Sequence, residues 1–316
     1  MEWLDTFLSS GVRVTIPILL GTIACLPTLW TRDINIGLEG VMVFGAFTGV
    51  VFGLHFRSAL IALICTFILA ALCGLLFGLL VTKFTLDVFI GGLVLLIFSG
   101  AATVYLMDAL FGVKGTIADP ATPALPAVTI PFVEDVPVLS GLLSGNSVLA
   151  WMAAACAVGI VVLERRSVSV KYMKAAGSNP DALASAGISV TKSRVAAQIW
   201  CFALCGAAGV QLSLGQLQLF TDGMGAGVGF VALAAALFSQ GRASVAIAVA
   251  VGFGFAIALT YQMNEQMMSG ELTKVMPYAA ALIGMIVVAR MKARSARLKA
   301  GVPHEDDNQA SMQHAL

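Results

Sequence analysis

The feature that most constrains this chain is a series of apolar runs of about twenty residues, the length that an α-helix needs to cross a hydrocarbon core ~30 Å thick. Of the 316 residues, 59% are hydrophobic and only 11% are charged. A soluble domain has roughly 25% charged residues, so a soluble core could not absorb this composition. The sequence therefore predicts an all-α polytopic membrane protein with about nine transmembrane helices, within a range of eight to ten. The predicted spans are Val14–Trp30, Ile34–Gly53, Leu60–Val81, Leu86–Met107, Val148–Leu163, Val195–Leu214, Met224–Phe238, Ala243–Tyr261 and Val275–Arg290.

Two of these spans are the places where a full helical crossing is least expected. The span from Met224 is short, and the span from Ile34 is polar at its start. Half-helices or a re-entrant turn are the alternatives to a full crossing at these two places. Before the first span, Trp3 to Ser10 is predicted to form a separate short amphipathic helix in the membrane interface.

The basic residues divide unevenly between the two sets of predicted loops. Fourteen of the eighteen fall in one set of alternate loops and the tail, whereas Arg57, Lys114 and Lys274 fall in the other set. Lys and Arg in short loops are retained on the cytoplasmic side. The N-terminus is therefore predicted to lie outside and the C-terminus in the cytoplasm.

The transmembrane domain is predicted to occupy residues 1–290, followed by a cytoplasmic tail, 291–316, that is basic and then acidic and is expected to be disordered. Two connecting segments exceed a simple turn. The external loop, 108–147, contains five prolines spaced so that no long helix can form through it. We expect it to form a compact cap or docking surface, with a passive connector as the alternative. The second segment is the cytoplasmic loop 164–194.

Within the cytoplasmic loop, the run from Ala175 to Val190 predicts a short capped helix. Ser178 or Asn179 can accept a hydrogen bond as the N-cap, Pro180 suits the first helical position, and Asp181 suits the positive end of the helix dipole. Gly187 can end the helix in a left-handed turn. Leu183 is the one large side chain of the interior. The helix either folds onto its own protein or, as we expect, inserts Leu183 into an apolar groove of a cytoplasmic partner.

Polar groups within the spans are the candidate functional residues, because an ionisable group in hydrocarbon costs at least ~2.5 kcal/mol and normally faces a cavity or a partner. Glu39 is the clearest case, and Asn35 is predicted to lie one turn earlier on the same helix face. Glu39 either lines a substrate pathway, which we favour, or accepts hydrogen bonds from freed backbone N–H groups of a broken helix. Near the outer end of the sixth span, a second polar group could line the entrance or form an ordinary interface loop: Gln211, Gln216, Thr221 and Asp222.

Several chemistries are disfavoured by what the sequence lacks. The phosphate-binding pattern G-x-x-x-x-G-K-[ST] does not occur, so no ATPase site is expected in this chain. The six cysteines lie in apolar stretches and the three histidines are scattered, so no metal site, cofactor or catalytic residue is expected. A net charge of +1 gives no electrostatic reason to expect a nucleic-acid partner.

Four segments, in this order, resemble the permease subunits of ATP-binding-cassette (ABC) importers, in the branch that covers simple sugars, branched-chain amino acids and nucleosides. INIGLEGVMVFGAF, at 34–47, resembles the NIGLEG signature of that branch, and RVTIPILLGTI, at 13–23, resembles the Arg-x-x-x-Pro start of its first span. AAGSNPDALASAGISVTKSR, at 175–194, is similar to its coupling segment. LSLGQLQLFTDGMGAGVGFVALAAALF, at 212–238, is similar to its Gly-rich return into the membrane. A departure is TRD at 31–33, where relatives usually have a Ser-Gly type connector.

The resemblance, which is closest to nucleoside and purine permeases, implies a type II importer fold in the bacterial inner membrane. The implied partners are a cytoplasmic ABC ATPase that binds ATP and Mg²⁺, an extracytoplasmic substrate-binding protein, and a second permease subunit, which we expect to be a related but distinct chain. The implied substrate is a nucleoside or purine-like solute, with a simple sugar as the alternative. The coupling residues implied are Asn179, Pro180, Asp181, Leu183 and Gly187.

Two other classes of protein are weaker alternatives. A stand-alone secondary transporter would need an internal site for a coupling ion, and Glu39 is the sole carboxylate placed well inside a predicted span. An intramembrane enzyme would need a Ser–His pair or two facing aspartates, and no predicted span offers either.

Overall fold

The computed structural model describes residues 2–128 and 145–267 as a bundle of long α-helices. Seven of the described helices are long and apolar enough to cross a membrane. The elements are α1 (Glu2–Trp30), α2 (Leu38–Phe56), α3 (Ala59–Lys83), α4 (Val88–Phe111), β1 (Thr116–Ile117), β2 (Ala127–Val128), β3 (Asn146–Ser147), α5 (Val148–Arg166), α6 (Val168–Ser178), α7 (Pro180–Ser185), α8 (Val190–Leu212), β4 (Phe220–Thr221), α9 (Val228–Ser239) and α10 (Ala243–Met267).

The two ends of the bundle differ in what covers them. One end, named here the α7 end, contains α6 and α7 together with the last residue of α1 and the first turns of α8 and α10. The other, the strand end, contains two small antiparallel ladders, in which Thr116 pairs with Thr221 and Ala127 pairs with Ser147. The described part of the proline-containing loop thus forms short strands without a helix between Phe111 and Ala127, as its prolines predict.

The centre of the bundle is formed by α1, α2 and α8, most of whose side chains are buried, whereas α3, α4 and α5 direct large apolar side chains outward. The contact between α2 and α8 depends on glycine. A Cβ on Gly45 would lie 2.6 Å from the carbonyl oxygen of Gly206, and a Cβ on Gly209 would lie 2.6 Å from the amide nitrogen of Ala46. Small residues of this kind let two membrane helices meet backbone to backbone.

The helix that begins at Glu2 differs from the sequence prediction. The prediction of a separate interfacial helix from Trp3 to Ser10 is wrong, because α1 continues without a break from Glu2 to Trp30. The ring of Phe7 packs at 5.9 Å from that of Phe255 in α10, and Gly11 lies under the same Phe255 ring. The N-terminal turns of α1 therefore pack on α10 as part of the bundle and do not form a separate helix.

The two weakest predicted spans have different outcomes: α2 starts late but is long enough to cross a membrane, whereas the seventh span contains only a short helix. Residues 31–37 are non-helical and α2 begins at Leu38, four residues later than the predicted span. The helix of the sixth span, α8, ends in a π-helical turn, Ser213–Leu217, and in the seventh span turns at residues 222–227 precede α9. Since α9 has 12 residues, it is too short to cross a membrane alone. The predicted ninth span, Val275–Arg290, and the tail 291–316 lie outside the described residues.

The glycine contact between α2 and α8 gives a first prediction. Gly209→Ala should lower the free energy of unfolding by about 1–3 kcal/mol, because the new methyl group would meet the α2 backbone, which cannot move aside without separating the helices. The measurement is thermal unfolding of the purified protein in detergent. Gly159→Ala on α5 is the matched control, since nothing lies within 4 Å of its Cβ position. Equal melting temperatures for the two variants would contradict this account of the contact.

Candidate functional site

The centre of the candidate site is a hydrogen-bonded junction between the start of α2 and the start of α9. Glu39, in the first turn of α2, is only 7% exposed. Its Oε1 accepts a hydrogen bond from the Gly227 N–H at 2.9 Å, and its Oε2 accepts one from the Gly229 N–H at 2.6 Å. The first N–H groups of a helix have no partner within the helix, and the helix dipole is positive there. Glu39 therefore supplies from α2 the N-terminal acceptors that α9 lacks.

The glycines of residues 225–229 allow the carboxylate to come this close. Gly227 has a φ of +86°, a left-handed conformation that glycine adopts without steric cost. A Cβ on Gly229 would lie 2.7 Å from the Cα of Glu39, and a Cβ on Gly225 would overlap its Oε1. A larger residue at position 225 or 229 would push α9 away from α2.

Asn35 does not share a helix face with Glu39, so that prediction is wrong. Asn35 precedes α2, and the 3.6-residue spacing that would align the two side chains does not apply to non-helical backbone. Its Nδ2 donates to Oε1 of Gln198 in α8 at 3.1 Å, and its Oδ1 accepts from the Gly37 N–H at 2.8 Å. Gly92 of α4 packs directly against it. Asn35 thus fastens the broken segment to α8 and α4, while Glu39 faces α9.

Asp33, in the non-helical segment 31–37, pairs with Arg194 in the first turns of α8. Arg194 Nε lies 3.6 Å from Asp33 Oδ2, and the Asp33 side chain is largely buried. Burial raises the pKa of Asp33 above its usual range, and the Arg194 charge and the Thr31 hydroxyl oppose that rise. Arg194 and Gln198, four residues apart on one face of α8, therefore hold Asp33 and Asn35 in turn.

The α6–α7 unit packs directly on the start of this segment. A Cβ on Gly177 of α6 would overlap the Trp30 carbonyl oxygen and would lie 2.9 Å from the Thr31 carbonyl carbon. The contacts of residues 31–39 therefore run from α6, through Asp33 and Asn35 against α8, to Glu39 against α9.

The short helix α7 has the predicted capping, with one difference. Asn179 is the N-cap, since its Oδ1 accepts from the Ala182 N–H at 3.0 Å, and Pro180 is the first helical residue. Gly187 has a φ of +77°, as predicted for the turn that ends the helix. Leu183, however, is 6% exposed and packs within its own chain. The outward surface of α7 consists of small or polar residues: Asp181, Ala182, Ala184, Ser185 and Ala186.

The four residues predicted to line an entrance separate into different roles. Gln211 is buried and accepts from the Ser147 hydroxyl at 2.9 Å, and Gln216 donates to the Arg13 carbonyl at 2.8 Å, so both bind other parts of the bundle. Thr221 lies in the β1–β4 ladder and donates to the Gly115 carbonyl oxygen. Asp222 alone is exposed toward open space.

Asp222 lines a cleft of about 600 Å³ at the strand end, together with Tyr105, Asp108 and Lys114. Lys114 Nζ lies 3.7 Å from Asp108 Oδ2, and both side chains are exposed. The cleft thus presents two carboxylates, one ammonium and a phenol. Asp108, Tyr105 and Lys114 were not predicted as site residues, because only the fold brings the end of α4 beside residue 222. Among residues 2–128 and 145–267, no group of three or more His, Cys, Asp or Glu side chains could hold a metal ion.

Comparison with known proteins gives one family. Residues 7–291 match the family model "Branched-chain amino acid transport system / permease component". A guanosine ABC transporter permease protein of Bacillus subtilis, NupQ, is 29% identical over 218 residues, which are 66% of each chain. A nucleoside ABC transporter permease protein of Lactococcus lactis, NupC, is 27% identical over 66% of this chain and 67% of its own. A Haloferax volcanii chain named as a glucose ABC transporter permease, TsgC13, is 28% identical over 76% of this chain and 72% of its own. No solved structure matches the chain significantly.

The junction at Glu39 gives a second prediction. Glu39→Gln keeps one acceptor oxygen but turns an NH₂ group toward a backbone N–H, so it should lose one of the two hydrogen bonds, and Glu39→Ala should lose both. Each lost bond to the carboxylate should cost about 1.5–3 kcal/mol. The melting temperature in detergent should therefore fall in the order wild type, Gln, Ala. Normal stability of Glu39→Ala together with altered transport would instead assign Glu39 to the substrate pathway.

Proposed function

Because the chain belongs to the family of branched-chain amino acid and related permease components of ABC transporters, we propose that it is the membrane subunit of an ATP-driven importer for a nucleoside or purine-like solute. The seven apolar helices and the similarity to ABC permease proteins make it a multi-pass protein of the bacterial inner membrane. The observation that supports the proposal most directly is the Glu39 junction, which holds the start of the short helix α9 against α2. Broken helices of this kind occur where a transporter's binding pathway passes.

The pathway in this proposal starts at the strand end and follows the turns at 222–227 and then α9. Asp222, Gly223 and Ala226 are exposed along the turns, and Phe230 and Leu237 are exposed along α9. At the strand end the Asp108 and Asp222 carboxylates can accept hydrogen bonds from hydroxyl or amino groups, and the Tyr105 ring offers a face for stacking. A nucleoside or purine has both the polar hydrogen-bond donors and the aromatic ring that such a site would bind. A simple sugar, which has the hydroxyl groups alone, is the second candidate, in line with the relative named for glucose.

The proposed partners follow from the same family. A cytoplasmic ABC ATPase would bind ATP and Mg²⁺ and contact the small, polar outward surface of α7. An extracytoplasmic substrate-binding protein would deliver the solute at the strand end. A second permease subunit, related but distinct, would complete the open side of the pathway, and the N-terminus would lie outside and the C-terminus inside.

Coupling in this proposal uses the contacts of residues 31–39. A movement of α7 would reach the Trp30–Thr31 backbone through Gly177, pass along the segment held by Arg194 and Gln198, and reach α9 through Glu39. Leu183 would hold α7 to its own protein so that the movement is transmitted. A secondary transporter is disfavoured by the same geometry, since both Glu39 oxygens already accept N–H groups.

The third prediction tests the function. The tagged chain, isolated from its native membrane, should co-purify with an ABC ATPase, and vesicles containing the complex and its substrate-binding protein should take up guanosine or adenosine when ATP is present. The control is the same complex whose ATPase lacks its phosphate-binding lysine. Uptake driven by an ion gradient without ATP would overturn the proposal, and faster uptake of glucose than of nucleosides would favour the sugar.

The fourth prediction tests orientation. Ala121 and Ala184 are both exposed and lie at opposite ends of the bundle. In a background whose six cysteines are replaced, an impermeant maleimide should label Ala121→Cys in intact cells and Ala184→Cys only after the membrane is permeabilised. Labelling of Ala184→Cys alone in intact cells would reverse the proposed orientation.

The fifth prediction tests the coupling route. Asp33→Asn and Arg194→Gln should each lower uptake per ATP hydrolysed by roughly twofold to thirtyfold, which corresponds to coupling energies of about 0.5–2 kcal/mol. The exchanged pair, Asp33→Arg with Arg194→Asp, should restore part of the loss. Asp119→Asn, which changes a carboxylate at the other end, serves as the control. A proportional loss of uptake and ATP hydrolysis in both single variants would show that the pair has no part in coupling.

A further inference from the structure

A second polar cleft, of about 550 Å³, opens at the α7 end between the ends of the membrane helices. Its wall includes the last residues of α1, the loop before α10, and Glu164 near the end of α5. Its charged residues have no part in the proposed transport pathway or in the proposed coupling route. The basic side chains of the cleft are Arg32, Lys174 and Arg242, and its acidic side chain is Glu164.

The charge of Glu164 is already matched within the protein. Its Oε1 lies 2.9 Å from Lys174 Nζ, and its Oε2 accepts a hydrogen bond from the Ala243 N–H at the start of α10, at 2.7 Å. Arg32 and Arg242 form no ion pair or side-chain hydrogen bond with another residue of the described stretches. The cleft therefore presents two uncompensated guanidinium groups.

The backbone holds both arginines in place. Arg32 has a φ of +60°, and the turn before Arg242 has two left-handed residues, Gln240 and Gly241. The Trp30 Nε1–H donates to the Gly241 carbonyl at 2.7 Å, so the two turns are fastened together. A left-handed conformation at an arginine is strained, and such strain persists where surrounding contacts enforce it.

The position of the cleft matches the headgroup layer of a membrane. It lies where apolar helices end, beside a tryptophan, which is typical of the membrane interface. Leu29 and Leu237 form its apolar wall, and Leu237 is 43% exposed. An amphipathic ligand with an anionic head and a hydrocarbon chain would satisfy both parts of this surface.

We propose that this cleft binds the headgroup of an anionic phospholipid, with its phosphate between Arg32 and Arg242 and an acyl chain against Leu29 and Leu237. Guanidinium groups bind phosphate through paired hydrogen bonds, and basic pockets between helix ends bind anionic lipid heads. An acidic segment of the ATPase is the other possible anion. The lipid is the better match, because its acyl chain would cover the apolar wall formed by Leu29 and Leu237, which an acidic peptide would leave uncovered.

The test is native mass spectrometry of the purified full chain in neutral detergent with added phosphatidylglycerol or phosphatidylethanolamine of the same acyl chains. Wild type should bind phosphatidylglycerol preferentially. The double variant Arg32→Gln, Arg242→Gln should bind it roughly tenfold to thirtyfold more weakly, as expected for two cations at an anionic surface. Arg57→Gln is the matched control, because Arg57 is also exposed and left-handed but lies at the other end. Equal melting temperatures in lipid-free detergent establish that the variants are folded.

Three results would overturn the proposal. The first is equal phosphatidylglycerol binding by the double variant and wild type. The second is full displacement of the lipid by millimolar inorganic phosphate, which would make the cleft a site for a free anion. The third is loss of ATPase co-purification from the double variant, with unchanged lipid binding, which would assign the arginines to the ATPase.

Discussion

The hydrogen bonds between the Glu39 carboxylate and the N–H groups of Gly227 and Gly229 are the interaction on which the centre of the bundle depends. Two helices start inside the bundle here: the start of α2 is buried, and the start of α9 is partly buried. Unpaired N–H groups in hydrocarbon would each cost several kcal/mol. One carboxylate removes that cost for α9, and its negative charge lies at the positive end of the α9 dipole. The negative charge and the helix start therefore stabilise each other in a place where either alone would be unfavourable.

The non-helical segment 31–37 also explains how a strongly apolar chain keeps polar groups inside the bundle. Residues 31–37 present Asp33 and Asn35 to Arg194 and Gln198, which lie one turn apart on α8. The partners come from distant parts of the chain, so the polar groups are paired by folding alone. The same segment connects the α7 end with α9, and this is why it is proposed to couple the two.

Local sequence signals were sufficient for the long helices and for the cap of α7, because helix length, apolar runs and Asn-Pro caps depend on neighbouring residues. They also marked the irregular start of the second span and the short seventh span. They could not choose between the two roles of Glu39, since its partners lie about 190 residues away in sequence. They placed Asn35 wrongly because the start of α2 is set by tertiary contacts, with Gly92 and Gln198 holding the chain out of the helix. Leu183 was expected to face a partner because a short sequence does not reveal which side of a helix its own protein covers.

The glycine contact between α2 and α8 has a mechanical consequence. Side chains between helices can change rotamer and let the helices slide, but Gly45, Gly206 and Gly209 leave backbone against backbone, where no rotamer exists to adjust. The two helices must then move as one rigid body. Any opening of this protein would therefore carry α2 and α8 together and could not separate them.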